Sequence, residues 1–438
     1  MGAAQALLDR ACAAEVPEQV FVDAPSAHRR RLRQLFELEP ATPIALLPSG
    51  TDAVYLVSSI ALRSASHVHH VVVGASELGG GTMKAARGQA ISHVAPFGEA
   101  VVGAPVEGLA ARCSAEPVYL RTDEGHRLEP AQVDEMVADR VRAAAERLQG
   151  PIVLHLVAHS KTGLRAPSAS LCVRLKEELG DRLLVMVDAA QGRLAPRDVR
   201  HSLDLGFLVL FTGSKFYSGP PFSCALVVPD SLAVDPGPLA PGLSDWFSRS
   251  DLPTPWAQAR ASLREPCNPG LSLRWEAALA EIEAYHQLQP RHRAGVYHTF
   301  SGAVYEAFGP SEIIEVDVPM PPVHQLVTAL GAYPSVFGFT VQGPEGLLTA
   351  PQLRRLHAML DTDLGAQASV LGGAYHLGQP VALGPPDDDG PAILRVALGA
   401  RLASEHAESP DAGAAFFRRT MHAVRAKLEA LVAEGAYA

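Results

Sequence analysis

Long apolar runs, paired cysteines and long basic runs are all missing from this 438-residue sequence, whose main cluster of positive charge is the short segment His28-Arg-Arg-Arg-Leu-Arg33. No stretch of about 18 uninterrupted apolar residues occurs, so no membrane span is expected. The five cysteines, Cys12, Cys113, Cys172, Cys224 and Cys267, are widely separated and form no Cys-x-x-Cys pair. Their odd number and spacing argue against a disulfide framework or a structural zinc site, and fit a reducing compartment. The net charge is −10 with no long basic run. Such a surface repels phosphate backbones, so nucleic acid is not an expected partner. The opening MGAAQALLDRACAAEVPEQ carries Asp9 and Arg10 and no apolar core, so no signal peptide is expected and the cytoplasm is the default location. Gly79-Gly80-Gly81 is not a dinucleotide fingerprint. His67-Val-His69-His70 lacks a partner cluster, so no metal site is expected and these histidines read as a solvated strand edge.

What is present fits a large globular enzyme. Hydrophobic residues make up 47% and charged residues 19%, enough apolar material for a sizeable core in a chain of this length. Residues 1–40 look helical. From about residue 41, short apolar β-rich runs (44–47, 68–73, 152–157, 183–187, 207–211 and 224–228) alternate with segments of helical period (53–63, 132–148 and 168–179). Buried strands alternating with helices indicate an α/β fold with a mainly parallel sheet covered on both faces. The stretch from Pro229 to Pro255 reads as a long loop, followed by a helix over 272–288. From about residue 310, short strands (313–318, 336–342, 392–398) mix with helices (352–362, 414–434), and Pro385–Pro391 reads as a turn. The expected organisation is therefore a large domain over 41–309 and a smaller α+β domain over 310–438. The 1–40 segment is expected to pack beside the smaller one.

Four short segments carry chemistry. Ser49-Gly50-Thr51 follows a strand and opens a helix, where backbone N–H groups and the helix dipole suit a phosphate. An ordinary helix cap is the alternative. Asp188 ends a strongly apolar strand, where open α/β sheets bind ligands, and its carboxylate can pair with a protonated ring nitrogen. Gln191, three residues on, can bond a ring oxygen; the alternative is that Asp188 caps a following helix. In Thr212-Gly-Ser214-Lys215, a lysine follows a buried strand between hydroxyl residues. Burial lowers an amine's pKa and makes it nucleophilic, while Thr212 and Ser214 can contact a phosphate; a surface-loop lysine is the alternative. Arg395 stands alone in an apolar strand, and a buried guanidinium wants an anion: a substrate carboxylate or an internal partner.

Taken together, Asp188-x-x-Gln191, a lysine 27 residues later in Gly-Ser-Lys-Phe-Tyr-x-Gly-Pro, Ser49-Gly-Thr upstream and Leu-Arg395-Val-Ala-Leu-Gly downstream resemble one group. It is the class V aminotransferase and cysteine desulfurase group of fold-type I pyridoxal 5′-phosphate enzymes. The resemblance spans roughly residues 40–400. It implies a fold-type I architecture with a seven-stranded sheet, pyridoxal phosphate held as a Schiff base on Lys215, and a homodimer with shared active sites. Cys267–Ser272 is the candidate segment offered to the neighbouring subunit. Ser160 falls where the group carries an asparagine near the ring oxygen, and Lys161 adds a second amine. The ring-stacking residue is not evident; that region reads Ala75-Ser-Glu77-Leu-Gly-Gly-Gly-Thr82, with Glu77 and Thr82 as substrate-contact candidates or parts of a flexible loop.

The resemblance implies an aminotransferase acting on a carboxylate-bearing amine. A pyridoxal-phosphate lyase, a kynureninase-type hydrolase or a decarboxylase is the first alternative, and a non-catalytic sensor the second. No cysteine follows Cys267, which argues against persulfide transfer by a mobile thiol of the smaller domain.

Overall fold

The short apolar runs assemble into one large sheet in the computed structural model of the chain, which describes residues 2–317, 335–383 and 390–437. Its strands are β1 (Ile44–Leu47), β2 (Val68–Val73), β3 (Cys113–Val118), β4 (Ile152–Val157), β5 (Leu183–Ala189), β6 (Leu208–Thr212) and β7 (Cys224–Val227). They lie in the order β1-β7-β6-β5-β4-β2-β3. β3, β2, β4, β5 and β6 pair in parallel, and β7 runs antiparallel to both β6 and β1. Every strand except β3 is buried along its whole length. Helices on both faces explain why these strands read as mainly apolar runs. The parallel arrangement also gathers the C-terminal ends of β1, β2, β4, β5 and β6 on one rim, from which every candidate loop of the large sheet departs.

Among the elements not anticipated are an edge strand and a long helix. β3 reads Cys-Ser-Ala-Glu-Pro-Val, and its position at the sheet edge tolerates Pro117. Helix Pro290–Phe308 starts with proline at its first turn, where the missing N–H costs nothing. Its buried Val296, Phe300, Val304 and Phe308 share one face, and it packs along helix Pro410–Ala433.

The second sheet is antiparallel: β8 (Ile314–Asp317), β9 (Val336–Gly343), β10 (Gly346–Leu347), β11 (Gly378–Ala382) and β12 (Ala392–Ala397). The order is β8-β9-β12-β11, with β10 on β9. Most of the expected Pro385–Pro391 turn, and Val318, lie outside the described residues.

The N-terminal helices, Gly2–Ala13 and Pro17–Phe36, pack on helix Pro269–Gln287, and the second also reaches β1. The expectation that placed them beside the smaller sheet is corrected by Arg29. This buried guanidinium donates to the carbonyls of Ile44 at 2.7 Å, Ser250 at 2.6 Å and Leu252 at 3.0 Å. Those bonds tie the segment to the large sheet's side of the molecule. No helix among the described residues is long and apolar enough to cross a membrane.

The histidines of β2 are not a solvated edge. β2 lies between β4 and β3, and His69 and His70 are buried. His69 bonds Ser114 and Glu116 of β3. The His70 protons can be placed. Ser58 donates its hydroxyl to Val54 O at 2.9 Å, so Ser58 Oγ must accept from His70 Nε2, also at 2.9 Å. His70 Nδ1 is then the acceptor for His155 Nε2–H at 3.0 Å, and His155 Nδ1 is left buried without a partner. Both rings are neutral. Burial holds His70 well below the usual histidine range and His155 at about 3. A depressed folded-state pKa stabilises above the unfolded value, near 6.5, and that stability is lost as pH falls through the interval below it. The slope is about 1.4 kcal/mol per pH unit for each histidine. Urea midpoints are therefore expected to drop steeply between pH 7 and pH 5. A His70→Asn, His155→Gln double variant should flatten that dependence; an equally steep slope in the variant would place the acid sensitivity elsewhere.

Candidate active site at the C-terminal rim of the large sheet

The loop leaving β6 is pinned on three sides. Gly213 N–H donates to Ser223 O at 2.9 Å, and Gly219 N–H to Gly213 O at 3.0 Å. A Cβ at either glycine would come within 2.8 Å of Ala278, so only glycine lets this loop lie against helix Pro269–Gln287. Phe216 N–H donates to Gln191 O at 3.2 Å, and Phe216 O accepts from Ala400 N–H at 2.6 Å, joining the turn after β5 and the segment after β12. Lys215 is thereby fixed at the rim. Its side chain is exposed, which corrects the expectation of a buried amine. Crowding by protein atoms lowers its pKa, Asp188 opposes this, and Arg395 adds to it. Accessibility governs the consequence: an amine open to solvent keeps much of its hydration until a bound molecule closes over it.

Asp188, the last residue but one of β5, is buried beside this loop. Its Oδ1 accepts from Ala190 N–H at 3.0 Å. The next helix, Pro196–Asp204, begins eight residues on, so Asp188 is not a helix cap. Burial raises its pKa, restrained by the Ala190 N–H and by Lys215. Gly192 has φ +71°, and a Cβ there would stand 2.9 Å from Thr212 O, so the turn presses on the lysine loop. Gln191 lies between them, half-buried.

Ser49 caps helix Gly50–Ala61, accepting from Asp52 N–H at 3.3 Å, while its hydroxyl donates to Asp52 Oδ2 at 2.5 Å. The helix cap therefore occupies the same turn as the candidate anion site. The Ser49 proton is committed, so the groups left for an anion are backbone N–H of the first turn and the Thr51 hydroxyl. Gly50 lies so close to β6 that a Cβ would meet Leu210 at 3.0 Å. The glycine loop after β2 approaches the same turn: a Cβ on Gly79 would stand 2.9 Å from Thr51 Oγ1. Thr82, buried at the start of helix Thr82–Ala86, lines that approach and stands nearer the Ser-Gly-Thr turn than a substrate role implies. Thr212 donates to Ala190 O at 2.6 Å, so its proton is used within the protein; Ser214 is half-buried beside Lys215.

Arg395 makes no ion pair among the described residues. Its Nη1 donates to Lys161 O at 2.9 Å, its Nε is buried without a partner, and among the described residues no carboxylate oxygen lies within 4.0 Å of it. Lys161 N–H in turn donates to Glu77 O at 3.0 Å. Glu77 and Ser160 differ from expectation. Glu77 is 1% exposed, paired with Arg121 at 2.9 Å, and accepts from Ser160 Oγ at 2.6 Å and from Thr162 Oγ1. These side chains satisfy one another, and Arg121 extends the network to Asp317 of β8 at 2.7 Å. They brace the rim, and their polar atoms are committed to one another.

No family model matches the chain, and no curated protein sequence matches it. Solved structures do. A NifS-like protein superposes with a TM-score of 0.54 at 12% identity, covering 93% of this chain and 89% of its own. The cystine C-S lyase C-DES, in complex with its product cysteine persulfide, gives 0.55 at 15% identity, covering 94% and 93%. The cysteine desulfurase CsdA of Escherichia coli gives 0.53 at 15%, covering 95% and 92%. The chain has the fold of the fold-type I pyridoxal-phosphate enzymes. The mainly parallel seven-stranded sheet and the smaller antiparallel one, expected from the resemblance, are both present.

Within this fold-type I framework the rim residues suit the cofactor. A buried carboxylate faces an accessible amine, and a glycine-opened helix N-terminus supplies anion donors. Two further arginines carried no sequence signal. Arg121 lies in the Glu77 network. Arg193, two residues past Gln191, donates to Ser335 Oγ at 2.7 Å and Leu398 O at 3.0 Å, and its guanidinium lies 5.0 Å from the Phe216 ring centre. A separate cleft of about 1170 Å³, lined by Glu37, Lys176, Arg182 and Asp230 among others, opens at the opposite end of the strands. None of the rim residues reaches it.

Proposed function

We propose that this protein is a pyridoxal 5′-phosphate-dependent aminotransferase acting on a carboxylate-bearing amine. The observation that carries the reading is the meeting of Lys215 and Asp188 on one sheet rim beside a helix N-terminus suited to phosphate. When bound, the cofactor supplies an aldehyde for the amine and a ring that withdraws electrons from the substrate Cα. The backbone N–H groups around Gly50 and Thr51, with Thr51 and Ser214 hydroxyls, hold its phosphate. Asp188 keeps the ring nitrogen protonated, and Gln191 bonds the ring oxygen. Lys215 would hold the cofactor through its amine and, once released, would move a proton at the substrate Cα as general acid and base. Arg395 fixes the substrate carboxylate. Exposure of Lys215 in the single chain supports a homodimer in which Cys267–Ser272 of a neighbour helps to cover the site.

Arg395→Ala tests the placement of substrate. A bidentate, charge-assisted contact is worth about 1.5–3 kcal/mol, so KM for a carboxylate substrate should rise by about 10- to 100-fold. Unchanged kinetics would remove Arg395 from the site.

A lyase is the second reading, supported by the likeness to a cystine C-S lyase. The products separate the two. Transamination yields a keto acid without ammonia, whereas β-elimination releases ammonia and decarboxylation releases carbon dioxide.

A further inference from the structure

Charge at the rim does not balance with a single substrate carboxylate. Among the rim cations, Lys161, Lys215 and Arg395 have side chains that are not buried, and they feel one another electrostatically; Arg193 is buried against Phe216, and Arg121 is paired with Glu77 and Asp317. The anions are Asp188 and Glu77. Glu77 is spent on Arg121, Ser160 and Thr162. On the pyridoxal-phosphate reading, on which this inference rests, Asp188 is spent on the ring nitrogen and Lys215 gives up its free amine to the cofactor. Lys161 and Arg395 remain, and among the described residues neither has a carboxylate oxygen within 4.0 Å.

These two cations form one unit. Arg395 Nη1 donates to Lys161 O at 2.9 Å, and Lys161 N–H donates to Glu77 O at 3.0 Å. The Lys161 backbone is therefore held from both sides, and its half-buried side chain leaves from a fixed point. Arg395 Nε is a buried donor with no partner. The pair also stands away from the phosphate end. Phosphate donors depart from β1 and β6, the ring carboxylate from β5, and Lys161 from the loop after β4. Adjacent strands are about 4.8 Å apart, so β4 lies roughly 10 Å from β6, on the far side of Asp188.

We infer that Lys161 recognises a second anionic group, so that the substrate is an amino acid with an acidic side chain, its α-carboxylate on Arg395 and its distal carboxylate on Lys161. A substrate with one carboxylate leaves one of two neighbouring cations uncompensated in a partly desolvated cleft, whereas a dicarboxylate pairs both.

The test is calorimetric binding of unreactive ligands to the pyridoxal-phosphate-loaded protein: succinate and glutarate against propionate. One of the dicarboxylates should bind at least about 10-fold more tightly than propionate. Lys161→Met should remove that advantage and leave propionate within about 2-fold, while Lys161→Arg should keep it, showing that charge rather than folding is at issue. Equal affinity of the three ligands for the wild type would overturn the inference. So would Lys161→Met weakening propionate as much as succinate, which would make Lys161 a second hand on one carboxylate. Loss of cofactor binding in Lys161→Met would overturn it as well, by assigning the lysine to the phosphate. Failure of the underlying reading looks different: the wild type itself would take up no pyridoxal phosphate.

Discussion

Replacing Lys215 with alanine should lower turnover by about 10³-fold or more, with the cofactor still bound but no longer attached. Two losses combine. Proton transfer by a positioned side chain contributes about 10²- to 10⁴-fold, and the variant has no amine at that place to supply it. On the proposed reading the variant would also lack the amine that would hold the cofactor covalently. Retention of binding follows from the separate anchors around Gly50, Thr51 and Asp188, which the substitution does not touch. Added methylamine should restore part of the activity if the missing function is the amine itself. Folding should be little affected, because the Lys215 side chain is exposed and the loop is held by backbone bonds of Gly213, Phe216 and Gly219. Turnover within about 10-fold of wild type would contradict the assignment.

Asp188→Ala should be nearly as damaging, lowering kcat by about 10²- to 10³-fold, the range seen when a preorganised charge-stabilising group is removed. The carboxylate is buried at the end of β5 with one backbone donor on Oδ1. A protonated ring nitrogen opposite it turns a costly buried charge into a paired one. Without the carboxylate the nitrogen loses its proton and the ring its electron-accepting power. Asp188→Glu should retain more activity than Asp188→Ala, since it keeps the charge at an altered distance. An Ala variant with wild-type kcat would show that the ring nitrogen is held by another group.

The fold was legible where burial leaves a plain mark. β1, β2 and β4 coincide with the mainly apolar runs seen in the sequence, because a strand covered on both faces favours apolar residues. β3 was not legible, because as an edge strand it carries Ser114, Glu116 and Pro117. His70 misled for the opposite reason. A polar residue in the core is tolerated when its bonds are satisfied, and its partners Ser58 and His155 lie 12 and 85 residues away.

The candidate site divides along the same line. Asp188, Lys215 and the Ser49–Thr51 turn could be located because each lies at or just past the C-terminal end of an apolar strand. What each side chain does depends on contacts distant in sequence. The Glu77 carboxylate is claimed by Arg121, 44 residues on, and by Ser160, 83 residues on. No local pattern announces either partner. Arg395 reaches the carbonyl of Lys161 across 234 residues, and only that meeting brings the two cations together.

The most direct measurement is to incubate the purified protein with pyridoxal phosphate, reduce it with borohydride, and map the modified peptide by mass spectrometry. A single phosphopyridoxyl group on Lys215, absent from Lys215→Ala, is the predicted result. Modification of Lys161 in its place, or a protein that stays colourless and unmodified, would contradict the account.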